Sequence, residues 1–280
     1  MAKTYVDGGR ANNAYTTGAG QIGGRDSGAQ GVFAAASSTQ NYPLGTRREF
    51  EDGRVFRYCH FVGAVTRGQL CAQDFSTSGD ARIDTAYTAD IAAGATQFTL
   101  TDAAITSDDA ADVYAGGYFI PMEGNGEGYA YRIKSNGVGS SPAANQMVID
   151  LFDPIIDSID SEEDCAIIGS PYKNLTTSKA AVDTIVAGVA VRTMAANEYG
   201  WVQTWGVGCV LADESAGTIS AGTIAQLSDD SDAVGEAQPY GAASTDSQAD
   251  DTGQDYPIIG YFLVAGVDTE HVPIFLQIQP

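Results

Sequence analysis

From residue 42 onward, apolar positions alternate with polar ones over short stretches, broken by Gly, Asn, Asp and Pro. Period-two alternation bounded by turn residues predicts strands. Residues 47–51 and 54–62 flank Asp52-Gly53, a two-residue hairpin signal. Thr96, Phe98 and Leu100 alternate with polar neighbours before a Ser/Asp-rich loop over 106–112. Residues 118–120 predict a strand, 124–128 a turn, and Tyr129, Tyr131 and Ile133 one face of the next strand. Asn136-Gly137 marks another turn, and 147–152 another strand. Further strands are predicted over 184–194, 201–211, 223–227, 258–265 and 273–278. One short helix is read around 178–186, where Val182, Thr184, Ile185 and Val186 weaken it.

Many short strands separated by turn signals predict an all-β fold. The expected layout is two small β-sandwich/barrel-like modules, 42–172 and 173–280, with 170–174 as linker. Residues 1–41 lack periodicity and are rich in Gly, Ala, Ser, Thr, Asn and Gln, so they predict an extended N-terminal arm. Extended, such an arm spans roughly 130 Å at about 3.3 Å per residue. It suits lying along a partner's groove or adding a strand to a sheet edge.

Charge sharpens this division. Residues 1–82 hold nine Lys and Arg against seven Asp and Glu, about +2, and 83–280 hold five against twenty-nine, about −24, which sum to the net −22. An acidic body excludes nucleic-acid binding through a basic face and attraction to anionic membranes. The four cysteines, Cys59, Cys71, Cys165 and Cys209, are spread widely without a CxxC. Free thiols in a reducing cytoplasm are expected, with a Cys59–Cys71 disulfide as the alternative. The first residues lack a basic region followed by an apolar run, so no signal peptide is expected. No apolar run approaches the ~20 residues of a membrane span.

Candidate chemistry is sparse. Gly18, Gly20 and Gly23 spell GxGxxG, but their flanks supply neither the strand nor the helix of a dinucleotide site. Only His60 and His271 are available to a triad. Cys59, His60 and Cys71 make a partial zinc pattern that falls short of four ligands. Acids cluster at Asp108, Asp109 and Asp112, over 157–164, and over 229–232. The last begins like a calcium loop with Asp230, Asp232 and Gly235, then fails at Val234 and Gly241. Solvated turn charges account for these clusters, and neither cofactor, metal nor catalytic residue is expected. Residues 200–209 hold both tryptophans, Trp201 and Trp205. They read as a core strand whose Gly206 and Gly208 admit another backbone, or as an exposed carbohydrate platform or oligomer contact.

The layout of 42–58, 189–206, 222–228, 259–264 and 274–278 resembles the decoration, or cement, proteins of tailed bacteriophages. The resemblance implies a structural, non-enzymatic virion protein, made in the host cytoplasm and bound to the outer capsid surface. Its implied partners are the major capsid protein and itself, as a homotrimer clamping neighbouring capsomers. Tyr5, Arg10, Tyr15, Arg25, Phe33, Tyr42, Arg47, Arg48 and Arg54 are the expected contact residues. A tail- or fibre-associated protein that binds host surface glycans is the alternative.

Overall fold

The Asp52-Gly53 hairpin forms as predicted. In the computed structural model, β1 (Arg47–Glu49) pairs antiparallel with β2 (Val55–Phe61), and Gly53 turns the chain at φ +83°. The structure describes residues 30–73, 83–86, 90–102, 105–106, 109–161, 164–178, 185–214, 217–228, 230, 233–240 and 256–280. Along β2, Cys59 and Phe61 face one side while Phe56 and Tyr58 face the other, and all four are buried.

One side is the inside of a closed barrel. From β2 the ring runs through β10 (Leu175–Thr177), β3 (Leu70–Gln73), β11 (Ile185–Ala190) and β12 (Glu198–Leu211), and β12 pairs back onto β2. Cys59, Phe61, Cys71, Leu175, Ala187 and Val202 fill the interior. Closure leaves these strands without free edges.

β12 is long because it serves two sheets. Its first half pairs with β2 and its second half with β16 (His271–Gln277). Between them the register breaks after Gln203, and Gly206 takes φ +86°. A Cβ there would lie 3.1 Å from the Arg54 Cα, so the backbone approach expected of these glycines occurs at Gly206. Beyond β16 the sheet continues through β15 (Ile258–Phe262), β13 (Ile224–Leu227) and β14 (Ala237–Pro239). Ala237 then bridges to Ala212, just past β12. A second core inside this curl holds Val210, Ile259, Phe262, Ile274 and Leu276, joined by Leu70 of β3 and Val186 and Val189 of β11. β3 and β11 are therefore a wall with one core on each face.

β3 and β10 are antiparallel neighbours, with Gln73 opposite Leu175. The chain between them is a separate unit, Asp74–Pro171, inserted into that hairpin. It contains β4 (Ile83–Ala86), β5 (Gln97–Thr101), β6 (Tyr118–Pro121), β7 (Tyr131–Asn136), β8 (Gln146–Leu151) and β9 (Asp164–Ile168). They form one sheet in the order β4-β9-β6-β7-β8-β5. Alternation places Phe98, Leu100, Phe119, Ile133, Ile149 and Ile167 in a core of its own.

The all-β class is as the pattern predicts, and among the described residues no helix is long and apolar enough to cross a membrane. Two expectations need correction, and a third falls mostly outside the described residues. The boundary at 171/172 falls where the linker was expected, but 42–73 belongs with 172–280, because β2 and β3 complete the barrel. The expected helix falls mostly on 179–184, outside the described residues, and Ile185 and Val186 begin β11. Order begins before residue 42, since 30–41 pack against the barrel.

Candidate partner-contact surface

Residues 30–44 cross the outer face of β2 and β12 as a strap. Val32, Tyr42 and Leu44 pack there on Phe56, Tyr58 and Trp201. Ser37 and Tyr199 exchange backbone hydrogen bonds at 3.1 and 2.7 Å, a single antiparallel bridge. The strap is fixed at its start by Gln30, which is buried. Its side-chain amide donates to the Ala35 and Tyr199 carbonyls at 2.9 and 2.8 Å. Its side-chain oxygen accepts from the Tyr58 hydroxyl at 2.8 Å and Asn41 Nδ2 at 3.3 Å. The Trp201 indole donates to its backbone carbonyl at 3.2 Å. Every polar group of one side chain is used, which is what buries an amide at acceptable cost. A lone Gln in a polar segment carries no periodic signal, so this role is not legible from residue pattern.

The expected contact residues divide into three groups. Tyr5, Arg10, Tyr15 and Arg25 lie outside the described residues. Arg48 is internal, and Tyr42 is half-buried beside it. Arg48 is 4% exposed, with its guanidinium 4.4 Å from the Trp201 ring centre and 4.6 Å from that of Tyr42. It also donates to the Tyr42 hydroxyl. A desolvated cation between two rings gains about 2 kcal/mol. Arg48 therefore holds the strap down, and its expected place on a partner surface is corrected.

Phe33, Arg47 and Arg54 remain at the surface. Arg47 pairs with Glu49, and Arg54 with Asp52, both at 2.7 Å. Burial opposes ionisation of the Asp52 carboxyl, but hydrogen bonds from Arg54 and its charge outweigh it and hold the pKa below the ordinary value. Phe33 is half exposed and meets Phe50 and Phe56 edge-on, at 6.1 and 5.8 Å. The Arg54 guanidinium lies 5.1 Å from the Phe50 ring centre and 5.8 Å from that of Phe33. Arg192 donates to the Phe33 carbonyl at 3.1 Å. The structure thus gathers one exposed ring and two cations, Arg54 and Arg192, at the root of the first 29 residues. Arg192, remote in sequence, was not among the expected contacts.

The other candidate constellations come apart. Cys59 and Cys71 are inside the barrel, whereas His60 lies on β2's outer side, 3.0 Å from Asn174 Oδ1 and 4.7 Å from the Tyr199 ring, so the three do not converge. All four cysteines are free thiols, and only Cys209 is exposed. Burial raises the Cys59 and Cys71 thiol pKa values far above the ordinary range, with Cys71 adding to the effect at Cys59. Asp109 serves its own loop, accepting from the Thr106 backbone at 2.8 Å.

In the calcium-like loop, Asp229 and Asp232 lie outside the described residues. Its Val234 carbonyl accepts from Gln69 Nε2 at 3.1 Å, and its Gly235 carbonyl from the Leu70 backbone at 2.7 Å. Among the described residues, no three His, Cys, Asp or Glu side chains converge to hold a metal. Nearby, Ser228 donates to the buried Asp213 at 2.6 Å. Burial, then Asp213, Asp268 and Asp230, raise the Glu236 carboxyl to about 7. The tryptophans part company: Trp201 is core, and Trp205 is half-buried against Phe275.

No family model, curated protein or solved structure matches the chain.

Proposed function

We propose that this chain is a structural virion protein that binds the outside of a tailed-bacteriophage capsid. In this role it clamps neighbouring major capsid protein subunits, several copies acting together as a homotrimer. The supporting observation is the spot formed by Phe33, Arg54 and Arg192 where the first 29 residues join the body. Those 29 residues carry Lys3, Arg10 and Arg25 against Asp7 and Asp26, about +1, on a chain of −22. Residues 1–82 together are about +2, so the front end is less repelled by an acidic shell surface than the rest of the chain, and where residues 1–29 join the body the exposed Phe33 ring has Arg54 beside it and Arg192 on its backbone carbonyl. Exposed ion pairs contribute only about 0–1 kcal/mol each. Most affinity therefore comes from buried apolar area and from repetition over a symmetric lattice.

The internal strap decides where the chain is cut to test this. Removing residues 1–29 takes away Tyr5, Arg10, Tyr15 and Arg25 but leaves Gln30 and the packed strap. We expect that truncation, and separately Phe33→Ala with Arg192→Ala, to weaken binding to purified shells by about tenfold or more. Undiminished binding by both folded variants contradicts the clamp.

A further inference from the structure

Val207, Phe275, Tyr261 and Ile224 stand opposite one another on β12, β16, β15 and β13. They make one rung across four strands, about 14 Å long at ~4.8 Å per strand. Their alternates Val210, Ile274, Phe262 and Ala225 face the core, so the rung lies on the outer face. Val207 is 53% exposed and Ile224 47%. Phe275 stacks on Tyr261 at 5.3 Å with the rings 9° from parallel, and Trp205 meets Phe275 edge-on at 5.9 Å. None of these side chains is charged, on a chain whose net charge is −22. Aromatic enrichment with depletion of charge is the composition of an interface core.

The charge selects the occupant. A basic partner is drawn to the carboxylates of the body and has no reason to prefer the strip. Copies of this chain repel each other wherever acids face acids, and they meet at least cost where neither carries charge. We propose that the outer face of β12, β16, β15 and β13 docks a second copy of this chain, strip against strip. The inference rests on the oligomeric half of the capsid-decoration reading but requires no shell. Strips facing across a twofold axis, or converging on a threefold one, are buried alike, and the native mass reads out which symmetry is used.

The test is native mass by light scattering of the full chain at about 0.15 M salt, read together with thiol labelling. Cys209 is the exposed thiol, opposite Pro273 on the same face, while Cys59, Cys71 and Cys165 are buried. The native chain assembles and protects Cys209. Val207→Asp with Ile224→Asp gives a monomer whose Cys209 labels about tenfold faster or more. Val207→Thr with Ile224→Thr keeps β-branching and strand propensity, melts like the native chain, and weakens association by about tenfold. Val138→Asp, at an exposed apolar position of the inserted unit, leaves the mass unchanged.

A native chain that stays monomeric at about 0.1 mM overturns the proposal. So does assembly undiminished by either folded pair of substitutions. A monomer that loses shell binding with the Asp pair assigns the strip to the shell protein. One whose Trp205 fluorescence is quenched by glycans assigns it to sugar, and one that assembles only after residues 1–29 are removed assigns it to that segment; each overturns the second copy. A monomer that still binds shells sinks this inference and the homotrimer but leaves shell binding standing, and an assembly that ignores shells sinks the shell-binding reading alone.

Discussion

Gln30 and Glu236 are the two residues whose surroundings set testable energies. Gln30 serves four side-chain hydrogen-bond partners beneath the strap. Gln30→Ala takes the acceptor from the Tyr58 hydroxyl and one of two donors from the Tyr199 carbonyl, which keeps the Ser37 amide; this costs roughly 1–3 kcal/mol and lowers the melting temperature. Glu236 has the opposite character. Among the described residues its buried Oε2 has no hydrogen-bond partner, and its pKa rises from 4.5 to about 7. An acid whose folded pKa is raised binds its proton more tightly when folded. Its cost to stability therefore appears as pH climbs past 4.5 and is complete above about 7. Glu236→Gln should raise the melting temperature at pH 8 and change it little at pH 4.5; equal shifts at both pH values contradict this origin.

At the scale of elements, β12 joins two curled sheets, and Gly206 is where it passes from one to the other. Gly53 and Gly206 have similar positive φ, +83° and +86°. A Cβ on Gly53 meets nothing within 4 Å, whereas one on Gly206 meets the Arg54 backbone. Gly53→Ala should therefore cost about 1–2 kcal/mol from backbone conformation alone, and Gly206→Ala should cost more in chemical denaturation. Equal losses contradict the close approach.

Legibility follows the same geometry. β2, β5, β6, β8 and β16 showed in the sequence, through alternation or turn residues, and were predicted within a few positions. β3 was not, because Leu70 packs in one core and Cys71 in the other, so Leu-Cys-Ala-Gln has no polar face to alternate with. β10 and β14, three residues each, are too short to show a period. The strap was hidden for a related reason: its burial depends on hydrogen bonds from one amide, not on an apolar pattern. Among the expected contacts, Arg48 looked like any other Arg of the hairpin. Only the structure separates its buried place between two rings from the surface place of Arg54.

For the molecule as a whole, the decisive event is the insertion of Asp74–Pro171 between two paired strands. Each unit holds its own apolar core. With Gln73 opposite Leu175, a loop of about five residues can replace the insertion, and the remaining chain should fold with a single cooperative transition. Loss of the barrel in that deletion contradicts an independent unit.

The function proposed for the chain is binding to a capsid shell, and co-sedimentation of the purified full chain with shells lacking it tests that proposal most directly. Saturation at a fixed ratio of chain to capsid subunit, at about physiological salt, is the predicted result. A chain left wholly in the supernatant at every concentration contradicts it.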